Sequence, residues 1–129
     1  MLDKSNLYPH ADITEKIISC SIEVHRILGP GLLESVYEEA LAYEFDLRKI
    51  KYARQYSIGL EYKGKEVGQQ RLDFLVENDV VLEIKAVDIM HKVFEAQLLT
   101  YLHAAKKHVG LIINFNVPVL KQGIKRMVL

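Results

Sequence analysis

Apolar residues recur along this chain with two periods, and the change from one to the other separates helices from strands. From Ile13 to Ile27, the residues Ile13, Ile17, Cys20, Val24 and Ile27 step by three and four, which lines one face of a helix. Asp12 stands before it as the capping residue. Gly29-Pro30-Gly31 stops it, because proline cannot continue the hydrogen-bond ladder. A second helix is expected from Glu34 to Lys49, with Leu33, Val36, Tyr37, Ala40, Leu41 and Phe45 at helical spacing. Period two then takes over. Tyr56, Ile58, Leu60 and Tyr62 alternate within a strand from Tyr52 to Tyr62, Lys63-Gly64-Lys65 is a turn, and Glu66 to Val76 returns. Gly68 with Gln69-Gln70 weakens the returning strand and marks a bulge. His91 to Lys107 resumes helical spacing, with Phe94, Leu98, Tyr101, Leu102 and Ala105 on the core side. Val109 to Phe115 is a nearly continuous apolar run, the pattern of a strand buried on both faces. It follows a strand and a helix, so it should lie parallel to the strand before that helix. Residues 123–129 supply a final edge strand.

The stretch Arg71–Val87 determines how the middle of the chain is registered. Leu72, Phe74 and Val76 alternate on one side of Glu77-Asn78-Asp79, and Val80, Leu82, Ile84 and Ala86 on the other. Cross-strand partners share a face, so the apolar sets meet only if paired residue numbers sum to an even value. A three-residue loop from Glu77 to Asp79 satisfies this and is a common hairpin connection. Asp73 then lies opposite Glu83, and Arg71 opposite Lys85. Like charges directly across a sheet are destabilising, and a divalent cation would compensate the two carboxylates. Magnesium takes few carboxylate oxygens and keeps several waters, so Asp73 and Glu83 suit it. Lys85 points the same way and would lie beside an attacking water. Taken alone, however, such a cluster is more often a group of solvated surface ion pairs.

Composition narrows the setting. The chain has 129 residues, half of them hydrophobic, which suits one soluble domain over 1–129, with residues 1–10 a loose lead-in. Formal net charge is zero, so a polyanion would be held by a local patch or a metal, not by a global field. Arg48, Lys49, Lys51 and Arg54, with Lys106 and Lys107, are the candidate phosphate contacts. Cys20 is the single cysteine, which excludes an intrachain disulfide and suits a reducing compartment. The N-terminal residues have no apolar central run of the signal-peptide kind, and no run is long enough to span a bilayer, so a cytoplasmic location is expected. His91, His103 and His108 show no zinc-like spacing with one another or with Cys20.

Asp73 followed by Glu83-Ile84-Lys85 on adjacent strands resembles the core of the PD-(D/E)XK nuclease superfamily. Gly31-Leu32-Leu33-Glu34-Ser35-Val36-Tyr37, preceded by Val24-His25-Arg26-Ile27-Leu28-Gly29-Pro30, resembles the GxxExxY group within it. The likeness runs from about Ile13 to Leu129. It implies an α/β restriction-endonuclease-like fold, a mixed sheet flanked by helices in the order α-β-β-β-α-β with one extra N-terminal helix. It also implies a metal-dependent nuclease that hydrolyses phosphodiester bonds in DNA or RNA with an activated water. Asp73 and Glu83 would bind the catalytic magnesium or manganese, Lys85 would orient or activate the water, and Glu34 would complete the acidic site directly or through water. Gln97 and Tyr101 resemble a Gln-x-x-x-Tyr motif of RecB-like nucleases and would support the site or the nucleic-acid backbone. Superfamily members are often dimers, so a homodimer is compatible with the resemblance. Leu72 occupies the position that the superfamily's name gives to proline, which carries no chemistry. His25 matches the narrower motif, with a helix C-terminal cap as its simplest role. Tyr37 reads as a core residue. The alternative is a non-catalytic nucleic-acid-binding or protein-interaction module that retains the nuclease fold.

Overall fold

The computed structural model describes residues 8–129, so residues 1–7 of the expected lead-in lie outside the described residues. Two helices come first, α1 (Ala11–Leu28) and α2 (Glu34–Leu47). Three strands follow, β1 (Tyr52–Tyr62), β2 (Lys65–Val76) and β3 (Val80–Lys85). Then come α3 (Lys92–Ala105), β4 (Val109–Asn114), a 3₁₀ turn (Leu120–Gly123) and β5 (Ile124–Val128). The strands form one sheet in the order β1-β2-β3-β4-β5. Among the described strands only β3 and β4 pair in parallel, because α3 carries the chain back between them. This is the mixed sheet flanked by helices that the family resemblance implied, with α1 as the extra leading helix.

The sheet is covered on both faces. On one side Ile17, Val24, Tyr37, Leu41 and Phe45 of α1 and α2 pack on Phe74, Val76, Leu82, Ile84, Leu111 and Ile113. On the other, Leu98 and Leu102 of α3 pack on Ile58, Leu72, Leu75, Val81 and Ile112. Burial on both faces explains why all of β4 is shielded and why its sequence is apolar without alternation. Gly110 allows the close approach of α3, since a Cβ there would stand 2.9 Å from a Leu98 methyl.

Several local expectations shift. His10, with φ 58°, occupies the position before α1, and Asp12 lies inside the first turn, where the helix dipole favours its carboxylate. Ile27, expected on the buried stripe, is 66 % exposed. α2 stops at Leu47, two residues before the left-handed Lys49, and α3 stops at Ala105, before the left-handed Lys106. Leu33 and Val36 are exposed, so α2 buries a narrower face than its spacing suggests. On β1, Ile58 is buried whereas Tyr56 and Tyr62 are exposed. The bulge falls at Val67, next to Gly68, where pairing passes from Leu60–Gly68 to Glu61–Glu66.

Candidate active site

The hairpin register is the one argued from the alternation. Val76 pairs with Val80, Leu75 with Val81 and Phe74 with Leu82, and Glu77 to Asp79 form the loop. Continued by one residue, this register sets Asp73 opposite Glu83. There the ladder stops, so the expected Arg71–Lys85 opposition does not form, and Arg71 pairs only with Ser57. Beyond that level β3 pairs only with β4, as far as Lys85 opposite Asn114.

Asp73 and Glu83 take over the hydrogen bonding where the strands cease to pair. The Ile84 N–H donates to Asp73 Oδ2 at 2.7 Å, and the Asp73 N–H donates to Glu83 Oε1 at 3.3 Å. Each carboxylate thus binds the backbone of the opposite strand. The side-chain alternation of β2 also changes phase here. Phe74 packs with α1 and α2, yet Leu72, two residues earlier, packs with α3. Strict alternation had placed both on one face. Across the sheet, Gln55 has φ 52°, a left-handed conformation that breaks the pleat of β1 at the same level.

The carboxylate pair is not a surface ion-pair group. Glu83 is 8 % exposed. Burial, reinforced by the Asp73 charge, pushes its carboxyl up to about 8. Burial likewise raises Asp73 above the usual carboxylate range, helped by Glu38 and Glu34 and opposed by the Ile84 N–H and Lys85. Lys85 ends β3 half-buried, with Nζ 4.4 Å from the Phe94 ring centroid. It takes part in no ion pair among the described residues. Tyr101 comes down from α3 close enough that Glu83 and Asp73 reinforce the effect of burial and raise its phenol. Gln97, one turn earlier, is exposed on α3.

Glu34 is the first residue of α2 and is exposed. It reaches Asp73 through its field, but among the described residues no group of three or more His, Cys, Asp or Glu side chains converges to hold a metal ion. The structure therefore brings Asp73, Glu83, Lys85 and Tyr101 together and leaves Glu34 and Gln97 at the margin. Tyr37 accounts for much of the glycine-rich motif. Its hydroxyl donates to the Gly29 carbonyl at 2.6 Å and accepts from the Leu32 N–H at 3.1 Å, while its ring stacks on Phe115 at 4.6 Å. Gly31, at φ 98°, makes the turn that this phenol holds, and so sets where α2 and Glu34 begin. The His25 ring donates to the Val117 carbonyl at 2.8 Å, tying α1 to the loop after β4 instead of capping its own helix.

Two supporting residues were not anticipated. Asn114, 2 % exposed, donates to the Val87 carbonyl and accepts from the Val87 and Asn116 N–H groups. It pins the chain just after Lys85, and its signal was the one polar side chain in an apolar run. Glu38 adds charge beside Asp73 while binding Arg54. The candidate phosphate contacts fare differently. Arg54 is held by Glu38 and Glu39, and Arg48 by Glu44. Lys51 joins the hairpin loop through the Glu77 N–H, and Lys106 and Lys107 precede Val109, which pairs with Val80. These three lysines therefore lie at the end of β3 away from Lys85.

A mixed sheet with helices on both faces, bearing a buried acid pair and a lysine where two central strands cease to pair, defines an α/β fold of the restriction-endonuclease-like kind. A family model for the PD-(D/E)XK nuclease superfamily matches residues 11–127, and the chain belongs to that superfamily. No curated protein matches it. Among the described residues no helix is long and apolar enough to cross a membrane.

Proposed function

We propose that this chain is a divalent-metal-dependent nuclease that hydrolyses phosphodiester bonds. The observation that carries the reading is the Asp73–Glu83 pair, two carboxyls in contact and largely withdrawn from water, with Lys85 two residues further along β3. Two buried like charges are unfavourable without a cation, and hard carboxylate oxygens are the donor set that magnesium and manganese accept. Asp73 and Glu83 would hold the ion, with Glu34 contributing through water from the start of α2. A bound ion would supply the charge that keeps both carboxylates ionised and would lower the pKa of a water so that its hydroxide form can attack phosphorus.

The remaining roles fall to this chain's own side chains. Lys85, held over Phe94 and free of ion pairs among the described residues, offers its ammonium to the attacking water or to the phosphate charge that grows in the transition state. Tyr101, near enough to Glu83 and Asp73 that their charges help raise its phenol, would support the acid pair from α3. Gln97, exposed on the same helix, would meet the nucleic-acid backbone at the margin of the site. The test is cleavage of labelled single- and double-stranded DNA and RNA in magnesium, manganese or EDTA, with the Lys85→Ala variant alongside. Metal-dependent cutting that is lost in the variant is the expected result. Equal cutting by both proteins would remove the assignment, and binding without cutting would favour the non-catalytic module.

A further inference from the structure

The β1–β2 pair extends beyond the rest of the sheet. In the shared register, Ser57 and Arg71 lie level with Lys85, where β3 ends, yet β1 and β2 remain paired to Tyr62 and Lys65. Five further residues of strand overhang the candidate active site by roughly 17 Å, at about 3.3 Å per residue. Among the described residues, no strand but its own partner pairs with this ribbon.

Its two faces differ in charge. Ile58 and Leu72 pack with α3, and the same face carries Tyr56, Leu60, Tyr62 and Lys65. The opposite face carries Glu61 and Glu66, which are paired with each other across the ribbon. The carboxylates are therefore confined to one face. The other continues the face of β3 from which Glu83 and Lys85 meet Tyr101 and Phe94 of α3. On this second face Tyr56 is 42 % exposed and Tyr62 63 % exposed, and Lys63 Nζ stands 5.4 Å over the Tyr62 ring. Lys63 and Lys65 take part in no ion pair among the described residues, in contrast to Arg48 and Arg54.

We propose that the acid-free face of the β1–β2 ribbon, with Tyr62 on the overhang and Tyr56 at its base as stacking platforms and Lys63 and Lys65 as phosphate contacts, binds single-stranded nucleic acid and leads it to Lys85. Exposed aromatic faces with adjacent cations bind unstacked bases with little regard to sequence, whereas a paired duplex has no free base faces to offer them. Lysine ammoniums match the phosphates between successive bases. This inference rests on the nuclease reading for its direction of travel, but its binding claim can be tested separately.

The experiment is fluorescence anisotropy in EDTA with labelled oligothymidylate, oligouridylate and a mixed-sequence duplex, using the full chain and four variants. Tyr62→Ala should weaken binding to both single strands roughly 5- to 150-fold, the range of one lost base stack, and Tyr62→Phe should retain it. Lys65→Gln should reduce the salt dependence by about 0.7 in the log–log slope, the value for one phosphate contact on a single strand. Gln69→Ala, on the acidic face, should bind like the parent. Single-strand binding by Tyr62→Ala within twofold of the parent would overturn the proposal, as would equal losses in Tyr62→Ala and Gln69→Ala. Binding through Tyr62 without cutting in magnesium would defeat the nuclease reading and leave the ribbon assignment standing. Cutting with an unchanged KM and unchanged binding in Tyr62→Ala would do the reverse.

Discussion

Asp73 and Glu83 face each other where β2 and β3 stop pairing, and each carboxylate accepts a backbone N–H from the opposite strand. That reciprocity links site and fold. The acids fill hydrogen-bonding positions that a continued ladder would have used, and in doing so they are drawn out of water.

Without metal, the pair should make stability fall as pH rises. Glu83 titrates near 8 in the fold against an ordinary value of 4.5. Between those values the folded protein holds a proton that the unfolded chain has released, so each step up in pH favours unfolding, and the effect levels off above about 8. At ~1.4 kcal/mol per pKa unit, the loss across the window is on the order of a few kcal/mol. Thermal melts in EDTA from pH 5 to pH 8 should show a falling Tm, and magnesium should restore it most at the alkaline end. A Tm that rises over that range would contradict the burial of this pair.

Glu83→Gln should separate stability from metal binding. The amide removes one of two opposed charges, so the metal-free variant should melt higher than the parent at pH 8. The same change removes a hard oxygen donor, so the magnesium-induced rise in Tm should shrink or vanish. A variant that still gains as much from magnesium as the parent would take Glu83 out of the ligand set.

Lys85→Ala should reduce cleavage by at least about a hundredfold, the lower end of the range for a positioned proton-transfer group. Its ammonium takes part in no ion pair among the described residues, so the fold should survive, with an unchanged circular dichroism spectrum and a small shift in Tm.

Tyr37→Phe keeps the stack on Phe115 but removes the hydroxyl that binds Gly29 and Leu32. Leaving those backbone groups without their partner should cost about 1–3 kcal/mol in a denaturant melt. If the phenol also fixes the start of α2, cleavage should fall further than the Glu34→Gln variant alone accounts for. A loss of stability with full activity would confine Tyr37 to the core.

Asn114→Ala tests the clamp after β3. The change leaves the Val87 N–H, the Val87 carbonyl and the Asn116 N–H without their side-chain partner. Faster hydrogen exchange at Val87 and Asn116 is expected, together with a drop in kcat larger than any change in KM, because Lys85 is next to the released segment. Unchanged exchange at both amides would show that other contacts hold the loop.

Periodicity and register were written in the sequence, because side-chain burial is local and repeats with the backbone. The switch from steps of three and four to steps of two placed the helices and strands, and the parity of Phe74, Val76, Val80 and Leu82 put Asp73 across from Glu83. Gln97 and Tyr101 also read correctly as neighbours on one helix, but their spacing did not reveal that only Tyr101 reaches the acid pair. What the tertiary structure alone decided depends on where elements meet. The ladder's end at Phe74–Leu82, the change of phase that sends Leu72 to the α3 side, and the burial that raises Glu83 all come from three-dimensional packing. The pairing of Arg54 with Glu38 and Glu39, and the distance of Lys51, Lys106 and Lys107 from Lys85, follow from how α2 lies on the sheet and how the strands pair. Charge and alternation are properties of a segment, whereas desolvation and field are properties of its neighbours, and those exist only once the chain has folded.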